Sequence, residues 1–189
     1  MNINKKLILL IVFLLMAFAG CTQDVPLNQD NKKNHLSSQK GETTLGLGAG
    51  LPYGAIGLRL GTNIINGLNL FGGLGYQISG VGYNIGVLKD FPSSSMTQFY
   101  LTGMYGTNAA IKVLELSEYN KVYTGPSVGL GIKVNSRKIE GNYWDLGLLL
   151  PIRSSHYEDD ETALKNDPRI LKFQAPWAVL IVVGYNFNL

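Results

Sequence analysis

Leu70–Leu88 reads LFGGLGYQISGVGYNIGVL, and its glycines decide the fold. They recur at nearly every second position between leucines, tyrosines and valines, which is the period of a β-strand. Glycine inside a strand costs roughly 0.5–1 kcal/mol against alanine and offers no side chain to pack. A soluble sheet has reason to avoid such a pattern, so some feature of the fold must offset its cost.

The same period continues in both directions. It predicts eight strands, at 43–51, 54–63, 67–77, 80–90, 96–114, 121–134, 138–152 and 176–189. Turn chemistry separates them: Pro52-Tyr53, Asn66-Gly67, Ser79-Gly80, PSSS at 92–95 and Asn135-Ser136. Large apolar residues alone set the register. One face then carries Leu45, Leu47, Ala49 and Leu51, then Ile56, Leu58 and Leu60, and so on to Trp177, Ile181 and Phe187. On the strand 96–114 this face continues through Ala109, Ile111 and Val113.

The glycines played no part in that choice, so they test it. Of 21 glycines from Gly46 onward, three fall in turns and two, Gly72 and Gly103, on the apolar face. The other sixteen share the opposite face with Arg59, Asn69, Asn84, Tyr123, Lys133, Asp145 and Asn186. A soluble barrel would be apolar inside and dense in charge outside. An eight-stranded membrane barrel inverts this, with apolar side chains toward lipid and a lumen just wide enough to be filled by side chains. Inward glycines leave room for large polar groups and allow tight curvature. Closure satisfies every strand edge, which hydrocarbon demands.

The expected fold is therefore all-β, an eight-stranded antiparallel up-and-down transmembrane β-barrel over 43–189. This segment resembles the small outer-membrane β-barrels of Gram-negative bacteria, of OmpA/OmpX-like shape. The ending VVGYNFNL, with Phe187 two positions before Leu189, is similar to the terminal strand that barrel assembly machinery reads. The resemblance implies outer-membrane lipids and that machinery as partners. It also implies aromatic girdles, to which Trp144, Trp177, Phe91, Phe99 and Phe187 could contribute. Pro126 cannot donate to a ladder, so a bulge is expected near it.

The N-terminus adds an address. MNINKKLILLIVFLLMAFAGC has a basic start at Lys5 and Lys6 and then thirteen apolar residues, Leu7–Ala19. That run is short of the ~20 a membrane helix needs and fits a signal-peptide core. FAGC resembles the lipobox of bacterial lipoproteins, with Phe18 in the usual leucine position and Cys21 as the lipidated residue. Cleavage after Ala19, an A-x-A site, is the alternative. Thr22 after the cysteine implies, by the enterobacterial sorting rule, the outer membrane. The expected divisions are a lipoprotein signal peptide at 1–20, a flexible tether at 21–42 and the barrel. The tether is polar and lacks aromatics, and His35 within it reads as solvated.

Composition excludes other classes. Without Lys5 and Lys6, the remaining 14 basic side chains nearly balance 13 acidic ones, so no nucleic-acid surface is indicated. The single cysteine precludes an intramolecular disulfide. GLGAGLPYG, 46–54, lacks the lysine of a phosphate-binding loop. No cofactor and no metal are expected, and the oligomeric state is left open.

Chemistry could reside in RSSHYEDDE, 153–161. Ser154 or Ser155 with His156 and Glu158 could imitate a nucleophile, base and orienting acid, as in barrels that modify lipid A. The four consecutive acids could instead attract a divalent cation, although their spacing matches no calcium loop. The default is the acidic start of a helix, with DDETALKNDP, 159–168, supplying its turns. In the lumen, Arg59 and Asp145 are expected to pair, with Lys133 nearer the periplasmic end. Parity then sends loops 115–120 and 153–175 outward. The reading favours a non-enzymatic outer-membrane lipoprotein over a rim enzyme or a soluble tethered barrel that binds an apolar ligand.

Overall fold

The structure is a computed structural model and describes residues 40–77, 79–93, 95–111, 121–166 and 177–189. Eight antiparallel strands close in chain order into an up-and-down barrel, with the last paired back onto the first. They are β1 (Thr43–Gly50), β2 (Ala55–Ile65), β3 (Leu68–Gln77), β4 (Gly80–Asp90), β5 (Thr97–Ile111), β6 (Lys121–Asn135), β7 (Tyr143–Pro151) and β8 (Leu180–Asn188). A single helix among the described residues, α1 (Ser155–Asn166), lies between β7 and β8. One end of the barrel carries the start of β1 and the finish of β8 (the terminal end), and the other carries α1 (the helix end). The proposed signal peptide, Cys21, His35 and the loop 115–120 lie outside the described residues.

The expected register holds along most of the wall. Leu47, Leu58, Leu74, Ile85, Leu130 and Leu148 all face outward and are exposed. A Cβ built on Gly72 or Gly103 meets nothing, as their place on the outward face requires. Asn66-Gly67 makes the tight β2–β3 turn, with Gly67 at φ +73°. Ladder pairing begins slightly earlier than expected, because Gly41 and Glu42 already bond Asn63.

Three expectations are corrected. Ala109 and Ile111 are buried rather than outward, because a β-bulge between Thr107 and Ala109 shifts the register against β6. One extra residue inverts the parity beyond it. Leu51 does not end the outward face of β1. It opens a short 3-10 turn, Leu51–Tyr53, that folds into the lumen with all three residues buried. The seventh and eighth strands are also shorter than predicted, since 138–142 form a turn and 177–179 a bend.

Pro126 has a specific accommodation. In an antiparallel ladder a residue's N–H and C=O point the same way, and the Pro126 carbonyl accepts from Ile152 N. The Ile152 carbonyl, which a proline cannot serve, accepts instead from the side-chain amide of the bulged Asn108 at 3.0 Å. The bulge thus lies on the partner strand and repairs the ladder at the proline.

Candidate functional site

The lumen is organised around Asp145 of β7, fully buried. Its Oδ2 accepts from Arg59 Nη1 at 2.7 Å and from the Tyr53 hydroxyl at 3.0 Å. Its Oδ1 accepts from the Tyr100 hydroxyl. Arg59 Nη2 bonds Asn186 Oδ1 at 2.9 Å and the Tyr143 hydroxyl at 3.3 Å, while Asn186 Nδ2 donates to Tyr53 at 3.0 Å. The guanidinium also lies over the Tyr53 ring, 4.8 Å from its centroid. A lone charge here would cost several kcal/mol, and this density of partners removes that cost. The expected Arg59–Asp145 pair is present.

Lys133 belongs to a second pair, with Asp90 at 2.7 Å and both side chains buried. Sequence reasoning named the lysine and missed the acid. Asp90 alternates with Asn84 and Leu88 on the inward face of β4, so strand parity was the available signal. The same parity could have flagged Tyr100 and Tyr143. Tyr53 carried no such signal, because it sits in a turn.

Turn Leu51–Tyr53 explains many of the inward glycines. A Cβ on Gly48 would stand 2.8 Å from the Tyr53 ring, and one on Gly184 would strike the Tyr53 hydroxyl. A Cβ on Gly57 would meet the Tyr53 carbonyl at 2.7 Å, and one on Gly73 would strike that of Pro52. On the far wall, Gly131 and Gly147 make space for Tyr100. The turn leaves β1 through Gly50 and returns through Gly54, both at positive φ. Ala55 follows at φ +88°, the one non-glycine with positive φ among the described residues. That backbone costs about 1–3 kcal/mol and persists only where its surroundings over-determine it. The lumen also holds apolar groups that the expected hydrophilic filling omitted. Phe71, Leu88, Met104, Leu149 and Val182 cluster with Leu51.

The second region is the cap at the helix end. α1 starts at Ser155, four residues before the expected stretch, and buries Tyr157 and Leu164 against Ala109, Ile111 and Tyr123. The rings of Tyr123 and Tyr157 meet edge to face at 5.2 Å. Asp160 accepts from the Tyr123 hydroxyl at 2.6 Å and from Lys121 Nζ at 2.9 Å. These two hydrogen bonds, the tyrosine first, hold its carboxyl below the usual range. Glu161 pairs with Lys165 at 2.8 Å, so two of the four consecutive acids are engaged. Among the described residues no three His, Cys, Asp or Glu side chains gather as a metal-holding group.

Ser155, His156 and Glu158 all lie in the first turn of α1 and are exposed. Successive helical residues point about 100° apart, so the serine and the histidine are not aimed at each other, and no hydrogen bond joins the three. Aromatic residues mark both ends of the outer wall. Trp144, Tyr185 and Phe187 meet edge to face in sequence at the terminal end, with centroids 5.1 and 4.9 Å apart. Tyr76, Tyr83 and Trp177 are exposed toward the helix end. No described helix is long and apolar enough to cross a membrane, which concerns helices alone. Comparison with protein-family models, curated proteins and solved structures gives no significant match.

Proposed function

We propose that the chain is an outer-membrane β-barrel lipoprotein, anchored through Cys21, whose role is structural or surface-interacting rather than enzymatic. One observation carries the reading. The outward wall is an unbroken apolar band in which Lys89, at the terminal end of β4, is the one charged residue facing out from a described strand. The buried charges all face the lumen in pairs. A Lys or Arg in mid-bilayer on the lipid face costs about 2–4 kcal/mol, so this distribution suits lipid and would leave a soluble barrel with a large exposed apolar surface. The aromatic rows at both ends add support, since such side chains settle at membrane interfaces. With the tether periplasmic, α1 and the 15-residue strands β5 and β6 stand on the outer side. The exposed face of α1 is then the surface presented to partners.

The test uses the full chain. The wild type should migrate faster on a gel unheated than boiled, and protease should spare its wall in vesicles. Leu148→Arg, at an exposed outward position on β7, should abolish insertion. A Leu148→Arg variant that inserts like the wild type would contradict the reading. Labelled palmitate should enter the wild type and not Cys21→Ala. Lipid A composition should be unchanged by Ser155→Ala or His156→Ala; a change in both would restore the enzyme.

A further inference from the structure

One side of the lumen is built unlike the other. The apolar fillers Phe71, Leu88, Met104 and Leu149 stand on β3, β4, β5 and β7. Down the β8–β1–β2 side Val182 is the apolar filler, Arg59 and Asn186 are the large polar ones, and Gly46, Gly48 and Gly184 contribute no side chain. The glycines leave a trough between those side chains, and the Tyr53 ring occupies it, lying against Gly46, Gly48 and Gly184 with the Arg59 guanidinium over its face. In a barrel of eight strands the interior is ordinarily filled by the wall's own side chains. Here part of the filling of one side is delivered by a turn.

The difference matters mechanically. A wall side chain cannot leave the lumen without unpairing a strand, whereas a turn hung between Gly50 and Gly54 can. Its polar attachments are few, and Leu51 adds apolar contact with the cluster around Phe71 and Val182. Leu51 O accepts from Asn84 Nδ2 at 2.8 Å, and the Tyr53 hydroxyl is bonded to Asp145 and Asn186. If Tyr53 withdraws, Arg59 and Asp145 keep their own 2.7 Å contact, so the exit strands no bare charge. The positive φ at Ala55 is relieved when the turn is free to choose another conformation.

We infer that the Leu51–Tyr53 turn is a displaceable plug. It closes a narrow polar passage for small inorganic ions that runs down the β8–β1–β2 side of the lumen. The inference rests on the membrane reading, and its test separates the two. The full chain is refolded into planar bilayers in KCl, and insertion is scored independently by unheated gel migration and protease protection. Wild type should insert and stay closed most of the time, with rare brief openings. Tyr53→Ala should raise the time-averaged K⁺/Cl⁻ conductance roughly tenfold, the shift expected from losing two hydrogen bonds that favour the closed state. Replacing 51–54 by Asn-Gly should raise it at least as far, and the outward Gly103→Ala should change nothing.

Variants that insert fully but conduct no more than the wild type overturn the plug and leave the membrane reading standing. A wild type that does not insert overturns the membrane reading, and the passage with it. If neither variant inserts, the wild type decides, because a record without openings overturns the plug and openings abolished by cross-linking the turn to β8 support it.

Discussion

At the helix end two tyrosines are wholly withdrawn from solvent, by opposite means. Tyr53 reaches down into the lumen on an inward turn, and both sides of its hydroxyl are used, by Asp145 and Asn186. Tyr157 rises above the wall on α1, packed against Tyr123 and Leu164, and its hydroxyl has no hydrogen-bond partner. One is held by polar complementarity and a glycine bed, the other through its ring alone, by apolar contact and by the Arg153 guanidinium 5.2 Å from its centroid. The contrast teaches where polar matching is spent: the lumen meets the Tyr53 hydroxyl on both sides, while the cap leaves a buried hydroxyl unmatched.

The largest expected effect removes the centre of the lumen. Asp145→Ala leaves Arg59 buried among hydroxyls and amides, and breaking a buried pair from one side costs about 3–5 kcal/mol. Urea unfolding of the refolded barrel should show this as a large fall in midpoint, whereas Asp160→Ala in the cap should leave the midpoint where it is. Equal shifts would erase the distinction between the regions.

A smaller effect follows from the glycine bed. Gly184→Ala puts a methyl against the Tyr53 hydroxyl and should cost about 1–3 kcal/mol, the range for overpacking. Gly103→Ala, with nothing within 4 Å, should stay within about 0.5 kcal/mol of wild type. If both are neutral, the turn does not need the bed it lies on.

Hydroxyl deletion sharpens the comparison further. Tyr53→Phe removes one of the hydrogen bonds to Asp145, which keeps Arg59, and leaves the Asn186 amide without its acceptor, so a loss of about 1–2 kcal/mol is expected. Tyr157→Phe removes a group that bonds nothing and should be neutral or slightly stabilising. A Tyr157→Phe loss as large as that of Tyr53→Phe would show that the Tyr157 hydroxyl, too, makes a polar contact.

These regions also differ in how much of them could be read from the chain. The outward wall was legible because alternation is a local property, and Leu70, Leu74 and Ile85 each follow from their neighbours. Arg59 and Asp145 were legible for the same reason, as charges on the glycine face. Ala109 and Ile111 were not, since the one-residue bulge at Asn108 that inverts them exists to serve a carbonyl opposite Pro126, on strands that only the fold brings together. The inward turn was illegible for a related reason. Pro52-Tyr53 is ordinary turn chemistry, and the direction it folds depends on a gap made by glycines on four strands, β1, β2, β3 and β8. Those glycines were visible; their shared occupant was not.

The smallest expected effect concerns acid, and it falls on the cap. Hydrogen bonds from Tyr123 and then Lys121 hold the Asp160 carboxyl below its ordinary value. A depressed carboxylate contributes stability that is fully present above the unfolded value of about 3.9 and is lost as pH falls through the folded one. Packing of α1 should therefore be constant from neutrality to about pH 5 and loosen progressively below about pH 4. Protease cleavage within Ser155–Asn166, measured on the folded barrel, is the probe, because it reports the cap separately from the wall. Asp160→Asn should cleave more readily at neutral pH and lose most of the acid dependence. If that variant keeps the full acid response, the titrating group lies elsewhere, and the Asp160 contacts with β6 do not hold the cap.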